Sequence, residues 1–105
     1  MGKKQIQKSL KTFTQRVKKT FKPERILLFG SYASGKVTNY SDIDIVVVAD
    51  KFKKIPEEKR LDVLYELTQD LYPDFHVFGY TPEEFKNASS LITLEEIKKS
   101  HISLM

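Results

Sequence analysis

The chain contains no cysteine, which excludes disulfides, thiolate-bound metals and cysteine nucleophiles. It lacks any apolar run near the roughly 18 residues that a membrane-spanning helix needs, and no secretory apolar segment follows Lys3 and Lys4. Met1-Gly2 opens in the manner of a myristoylation signal, but Ile6 occupies the position that requires Ser or Thr. Internal repeats, low-complexity tracts and linkers are missing too. A soluble cytoplasmic protein with no membrane partner is the expectation. Acid is scarce at one end: Lys3, Lys4, Lys8, Lys11, Arg16, Lys18, Lys19, Lys22 and Arg25 face a single acid, Glu24. Such a segment is either a solvated helix face or an attractor of nucleic acid or an acidic partner.

What is present is the composition of one globular domain. The chain has 105 residues, 40% hydrophobic and 11% aromatic, with a net charge of +4. That is enough for one core and too little for two, so residues 1–105 read as a single domain.

Ile6, Leu10, Phe13, Val17 and Phe21 recur at helical spacing and predict an amphipathic first helix, ended by Pro23. Arg25 to Phe29 reads as a short strand broken by Gly30, followed by a turn with a brief helix up to Tyr40. Ile43 to Ala49 is apolar on both faces, as a central strand should be. Lys51 to Lys54 read as a charged loop. Pro56 opens a helix carrying Leu61, Leu64, Leu67 and Leu71, and Pro73 stops it. Asp74 to Tyr80 reads as a strand weakened by Gly79. Thr81-Pro82-Glu83-Glu84 is a capping box, and Thr93-Leu94-Glu95-Glu96 repeats that logic before a last short helix. His101 to Met105 is a candidate edge strand.

The order is α-β-turn-β-α-β-α-α, an α/β (α+β) fold with helices packed on a small mixed sheet. Asp42 and Asp74 lie 32 positions apart, the size of one βαβ unit, so those strands should run parallel. Gly30 to Ser41 holds only twelve residues, which favours an antiparallel first pair. Gly30, Ser31, Asp42, Asp44 and Asp74 should then gather at one end of the sheet.

Asp42 and Asp44 stand two apart at the head of the central strand, on one face. At roughly 6.5 Å and an effective dielectric of ~20 they repel by about 2–3 kcal/mol. A bound cation relieves that repulsion. Their hard oxygens suit Mg²⁺ or Mn²⁺, and magnesium bound by few carboxylates usually carries substrate phosphates as well. Gly30-Ser31 offers a phosphate turn. Singly, a Gly-Ser is an ordinary turn and Asp-Ile-Asp a strand entry; in this order they describe a site. The stretch Gly30 to Lys36 also fits the first seven positions of a P-loop, but Val37 replaces the magnesium-binding Ser or Thr and no sustained helix follows.

The stretch GSYASGKVTNYSDID resembles the signature of the minimal nucleotidyltransferases of the DNA polymerase beta-like superfamily: Gly30-Ser31, ten residues, then Asp42-Ile43-Asp44. The resemblance extends over roughly residues 20 to 90, including Tyr80 to Phe85. It implies transfer of a nucleoside monophosphate, AMP from ATP, to a hydroxyl acceptor. It implies Asp42 and Asp44 as metal-holding catalytic residues, with Gly30, Ser31 and Lys36 binding the nucleotide. It also implies a third carboxylate on the following strand, for which Asp74 is the choice and His76 the alternative ligand. Ser34 stands where relatives carry Arg, and Lys36 offers a point charge nearby. The resemblance further implies the antitoxin of a toxin–antitoxin pair, modifying a helical partner toxin. The alternative is a non-catalytic module of the same fold that binds a partner protein or nucleic acid. Either is compatible with a homo-oligomer. Tyr32, Tyr40 and Tyr80 are candidates to stack on a base, and His101 reads as a surface residue.

Overall fold

The computed structural model describes residues 3–35, 42–72, 74–87 and 102–104. The order is α1 (Lys3–Phe21), β1 (Arg25–Phe29), α2 (Ser31–Ser34), β2 (Ile43–Val48), a 3-10 turn (Asp50–Lys54), α3 (Glu57–Glu66), β3 (Phe75–Tyr80), α4 (Pro82–Asn87) and β4 (Ile102–Ser103). The strands lie in the order β3-β2-β1-β4. β1 is antiparallel to β2 and β4, and β3 is parallel to β2, as the connection lengths require. Tyr40, Lys36, His101 and the expected helix after Thr93 lie outside the described residues. Among the described residues no helix is long and apolar enough to cross a membrane.

The sheet is buried on both faces. Ile26, Leu28, Ile43, Ile45, Val47, Phe75 and Val77 meet Phe13, Val17 and Phe21 of α1 and Leu64 of α3 on one face. Leu27, Val46 and Val48 meet Phe85 of α4 on the other. Each such side chain contributes about 1.5–3 kcal/mol when fully buried. This two-sided burial explains why Ile45–Val48 shows no alternation of apolar and polar residues.

Two elements differ from the sequence-based expectation. The segment at Lys51–Lys54 is not a plain loop: it coils into the 3-10 turn and buries Phe52 completely. The Phe52 ring stacks at 4.9 Å from Phe21 and lies so close to Gly79 that a Cβ there would stand 2.9 Å from it. Gly79 is therefore set by ring packing. The second difference concerns α3, which ends at Glu66, short of Pro73. Its inward positions are Arg60 and Leu64, while Leu61 is 43% exposed. A leucine periodicity does not reveal which of two adjacent positions faces the sheet.

Arg60 takes the inward place because each of its three nitrogens finds an acceptor. Its guanidinium donates to the carbonyls of Ile55 (3.0 Å), Phe52 (2.9 Å) and Gly79 (3.4 Å) and to Glu84 Oε1 (2.6 Å). Glu84 closes the expected capping box: Thr81 N–H donates to its carboxylate at 2.8 Å, and its own N–H donates to Thr81 Oγ1 at 3.1 Å. Burial raises the Glu84 carboxyl, but the Thr81 N–H and Arg60 together hold it below its ordinary range. Four segments thus meet at one buried cation.

Arg60→Ala strands three carbonyls and is expected to cost about 2–3 kcal/mol, discounted because Glu84 can rehydrate. Glu84→Gln keeps the cap and should cost about 1 kcal/mol. Because the Glu84 pKa is depressed in the fold, its contribution is present above the ordinary carboxylate range and lost as pH falls through the folded value. Urea unfolding at neutral and acid pH measures both: the difference between wild type and Glu84→Gln should shrink on acidification.

Candidate active site

One register row carries the site. Phe29 pairs with Asp44 across β1 and β2, and Asp44 pairs with His76 across β2 and β3. The parity that buries Ile43, Ile45 and Val47 on the face covered by α1 and α3 turns Asp44 and His76 to the other face. There His76 Nδ1 lies 3.5 Å from Asp44 Oδ1 and 3.9 Å from Asp42 Oδ2. The Asp44 side chain is 23% exposed, against 40% for Asp42 and 57% for His76.

β1 ends on Gly30, which adopts φ +70°. A Cβ at Gly30 would overlap the Asp44 carboxylate. Glycine is thus required twice, by the left-handed backbone and by the closeness of the acid. Ser31 begins α2 immediately afterwards; only its backbone is described.

Asp42 and Asp74 meet at the parallel edge, where Ile43 N–H donates to the Asp74 carbonyl at 2.9 Å. With His76 they line a cleft of about 360 Å³ whose opposite wall is Tyr65, Thr68 and Gln69. Among the described residues no three acidic or imidazole side chains converge closely enough to cage a metal by themselves. The sheet therefore brings Asp42 and Asp44 each within 4 Å of His76, seats Asp74 in the adjoining cleft, and sets Gly30 against Asp44. Lys36 lies outside the described residues.

The electrostatics show excess negative charge. Burial pushes the Asp44 carboxyl above its ordinary range; His76 opposes this, and the charge of Asp42 adds to it. Tyr32, on α2, and Tyr65, on α3, have phenols raised first by burial and then by Asp42, with Asp74 adding to Tyr65. A half-buried carboxylate whose charge is disfavoured by burial and by a second acid fits a cation, and two hard-oxygen donors with open sides fit magnesium or manganese shared with substrate phosphates. Sequence reasoning missed Tyr65, Thr68 and Gln69. The only signal was their place near the end of the helix preceding the third strand.

Comparison with known proteins accords with this geometry. Residues 10–101 match the family model described as a nucleotidyltransferase domain. A Methanocaldococcus jannaschii protein named "Putative protein adenylyltransferase MJ1305" is 35% identical over 77 residues, 71% of this chain and 49% of that protein. The chain spans about half the length of the curated relatives it matches. The crystal structure of a "putative nucleotidyltransferase" from Sulfolobus solfataricus is similar at TM-score 0.61 and 18% identity, covering 98% of this chain and 87% of that one. BolA1 from Arabidopsis thaliana is similar at TM-score 0.58 and 14% identity, over 72% of this chain and 94% of that one. At such identities the structural likenesses concern the fold alone.

Gly30→Ala should destabilise the fold by about 2 kcal/mol or more, from the left-handed backbone and the collision with Asp44; thermal unfolding measures it. Asp44→Asn should do the opposite. A carboxyl raised in the fold binds protons more tightly there, so its charge costs stability as pH rises through that window. The variant should melt higher than wild type at neutral pH, and the gap should close below the ordinary aspartate range.

Proposed function

Because this chain belongs to the nucleotidyltransferase domain family, we propose that it transfers AMP from ATP to a hydroxyl of another protein. The observation that carries the reading is the Asp44 carboxylate set against a side-chain-free Gly30 at the sheet's end, with Asp42 beside it. The naming of the M. jannaschii relative as a protein adenylyltransferase supports a protein acceptor and adenylate as the group moved. The acceptor that the sequence resemblance suggests is a helical toxin, with this chain as its antitoxin.

In this reading Asp42 and Asp44 hold the divalent cation, magnesium or manganese, through carboxylate oxygens. The cation, when bound, neutralises charge developing on the transferred phosphoryl group. Gly30 lets the triphosphate approach the backbone, and Ser31 presents the first turn of α2 to it. Lys36 follows in sequence as a further positive charge. Asp74, exposed in the cleft, is the third carboxylate and receives the acceptor proton. The acceptor oxygen bonds to the α-phosphorus, the bond from that phosphorus to the bridging oxygen breaks, and pyrophosphate leaves. Tyr65, Thr68 and Gln69 form the wall along which nucleotide or acceptor is oriented.

One observation favours the alternative of a non-catalytic binding module: an imidazole, His76, rather than a carboxylate pairs with Asp44. A single experiment separates the two. The chain is co-expressed with candidate partners and their intact masses are measured, for wild type and for Asp42→Asn with Asp44→Asn. The enzyme reading expects an added adenylate on the acceptor, reduced about 10²–10³-fold or more in the double variant. Partner binding that is equal in wild type and double variant, with no adenylate on any partner even with the wild type, supports the module and defeats the enzyme reading.

A further inference from the structure

The pole of the molecule opposite the candidate site carries a cluster of lysines that the proposed transfer does not use. Two contacts assemble it. Lys51 Nζ donates to the Thr20 carbonyl at 3.1 Å, and Phe52 stacks on Phe21 at 4.9 Å. They hold the end of α1, with Lys18, Lys19 and Lys22, against the 3-10 turn that carries Lys51, Lys53 and Lys54. All six lysines are exposed. The acids within residues 18–24 and 50–54 are Glu24 and Asp50, and Asp50 is paired with Lys53 at 3.4 Å. β1 runs away from this pole: Arg25 pairs with Val48, and four residues further Phe29 pairs with Asp44. At about 3.3 Å per residue the two ends are at least ~13 Å apart.

The negative end of the α1 dipole favours Lys18 and Lys19 by about 0.3–1 kcal/mol each and fades within a turn. It does not account for three more lysines delivered by a separate segment. Among the described residues the large exposed apolar side chains are Leu61, Tyr72, Phe78 and Ile102, and none belongs to this cluster. A protein partner needs an apolar centre to its interface. A phosphate backbone does not, because its affinity comes from counterions released as lysines neutralise phosphates. Lysine also suits phosphate as a point charge, without the fork that reads bases.

We infer that the lysines at the end of α1 and on the 3-10 turn form a docking surface for a nucleic-acid backbone, engaged without sequence readout and separate from the candidate active site. An acidic protein is the competing occupant.

The test is fluorescence anisotropy with a labelled duplex of about 20 base pairs and mixed sequence, across a salt series. Four to six phosphate contacts predict a loss of about 10²–10³-fold in affinity between 50 and 200 mM salt. Lys18→Gln with Lys22→Gln and Lys54→Gln should weaken binding and lower the log–log salt slope by about 2–3. A control removing Lys8, Lys11 and Lys59, equal in charge but elsewhere, should change the slope by clearly less. Asp42→Asn with Asp44→Asn should leave binding intact, so this inference stands or falls independently of the transferase reading. Thermal melting verifies that each variant folds. No salt-dependent binding, equal effects of patch and control, or preference for a polyglutamate competitor over the duplex would each overturn the inference.

Discussion

β2 is buried on both faces from Ile45 to Val48, so charge is tolerable in the middle of this sheet only at the strand's entry. Asp44 sits at that entry, close enough to the core for burial to raise its pKa and still partly exposed. Everything at the candidate site follows from this position. The β1 neighbour of Asp44 must stop where the carboxylate begins, which Gly30 does by having no side chain. The β3 neighbour must be polar and open, which is the place His76 fills. A carboxylate raised by burial at this position is the kind of local conflict expected at a binding site.

The same sheet separates two charge environments. At one end Asp42 and Asp74 line a cleft with His76, and Asp44 lies beside His76. At the other, lysines of two helical segments are drawn together by the Phe21–Phe52 contact. Between these poles Arg60 ties the 3-10 turn, α3, β3 and α4 through its five-donor fork. A lysine there could not reach four acceptors at once.

How much was legible in the sequence differs from residue to residue. The five strand and helix segments around Gly30 and Asp44 were readable because apolar runs and turn residues are local signals. Strand pairing was readable from loop length, since twelve residues limit a crossover and 32 permit one. The inward role of Arg60 was not, because a buried arginine looks like a surface one until its acceptors, up to 24 residues away, are in place. The burial of Phe52 in a lysine-rich segment was hidden for the same reason.

The sequence by itself determined the two-sided core strand, the mixed sheet, and the adjacency of a glycine turn to a pair of aspartates, all of which depend on short-range periodicity and spacing. Only the tertiary structure decided which residue of β3 stands beside Asp44. Strand register is a long-range quantity: moving it by one residue turns every side chain to the other face, and moving it by two exchanges His76 for Asp74. The packing of Phe13 on Phe75 and of Gly79 on Phe52 anchors β3 at both ends and so selects His76.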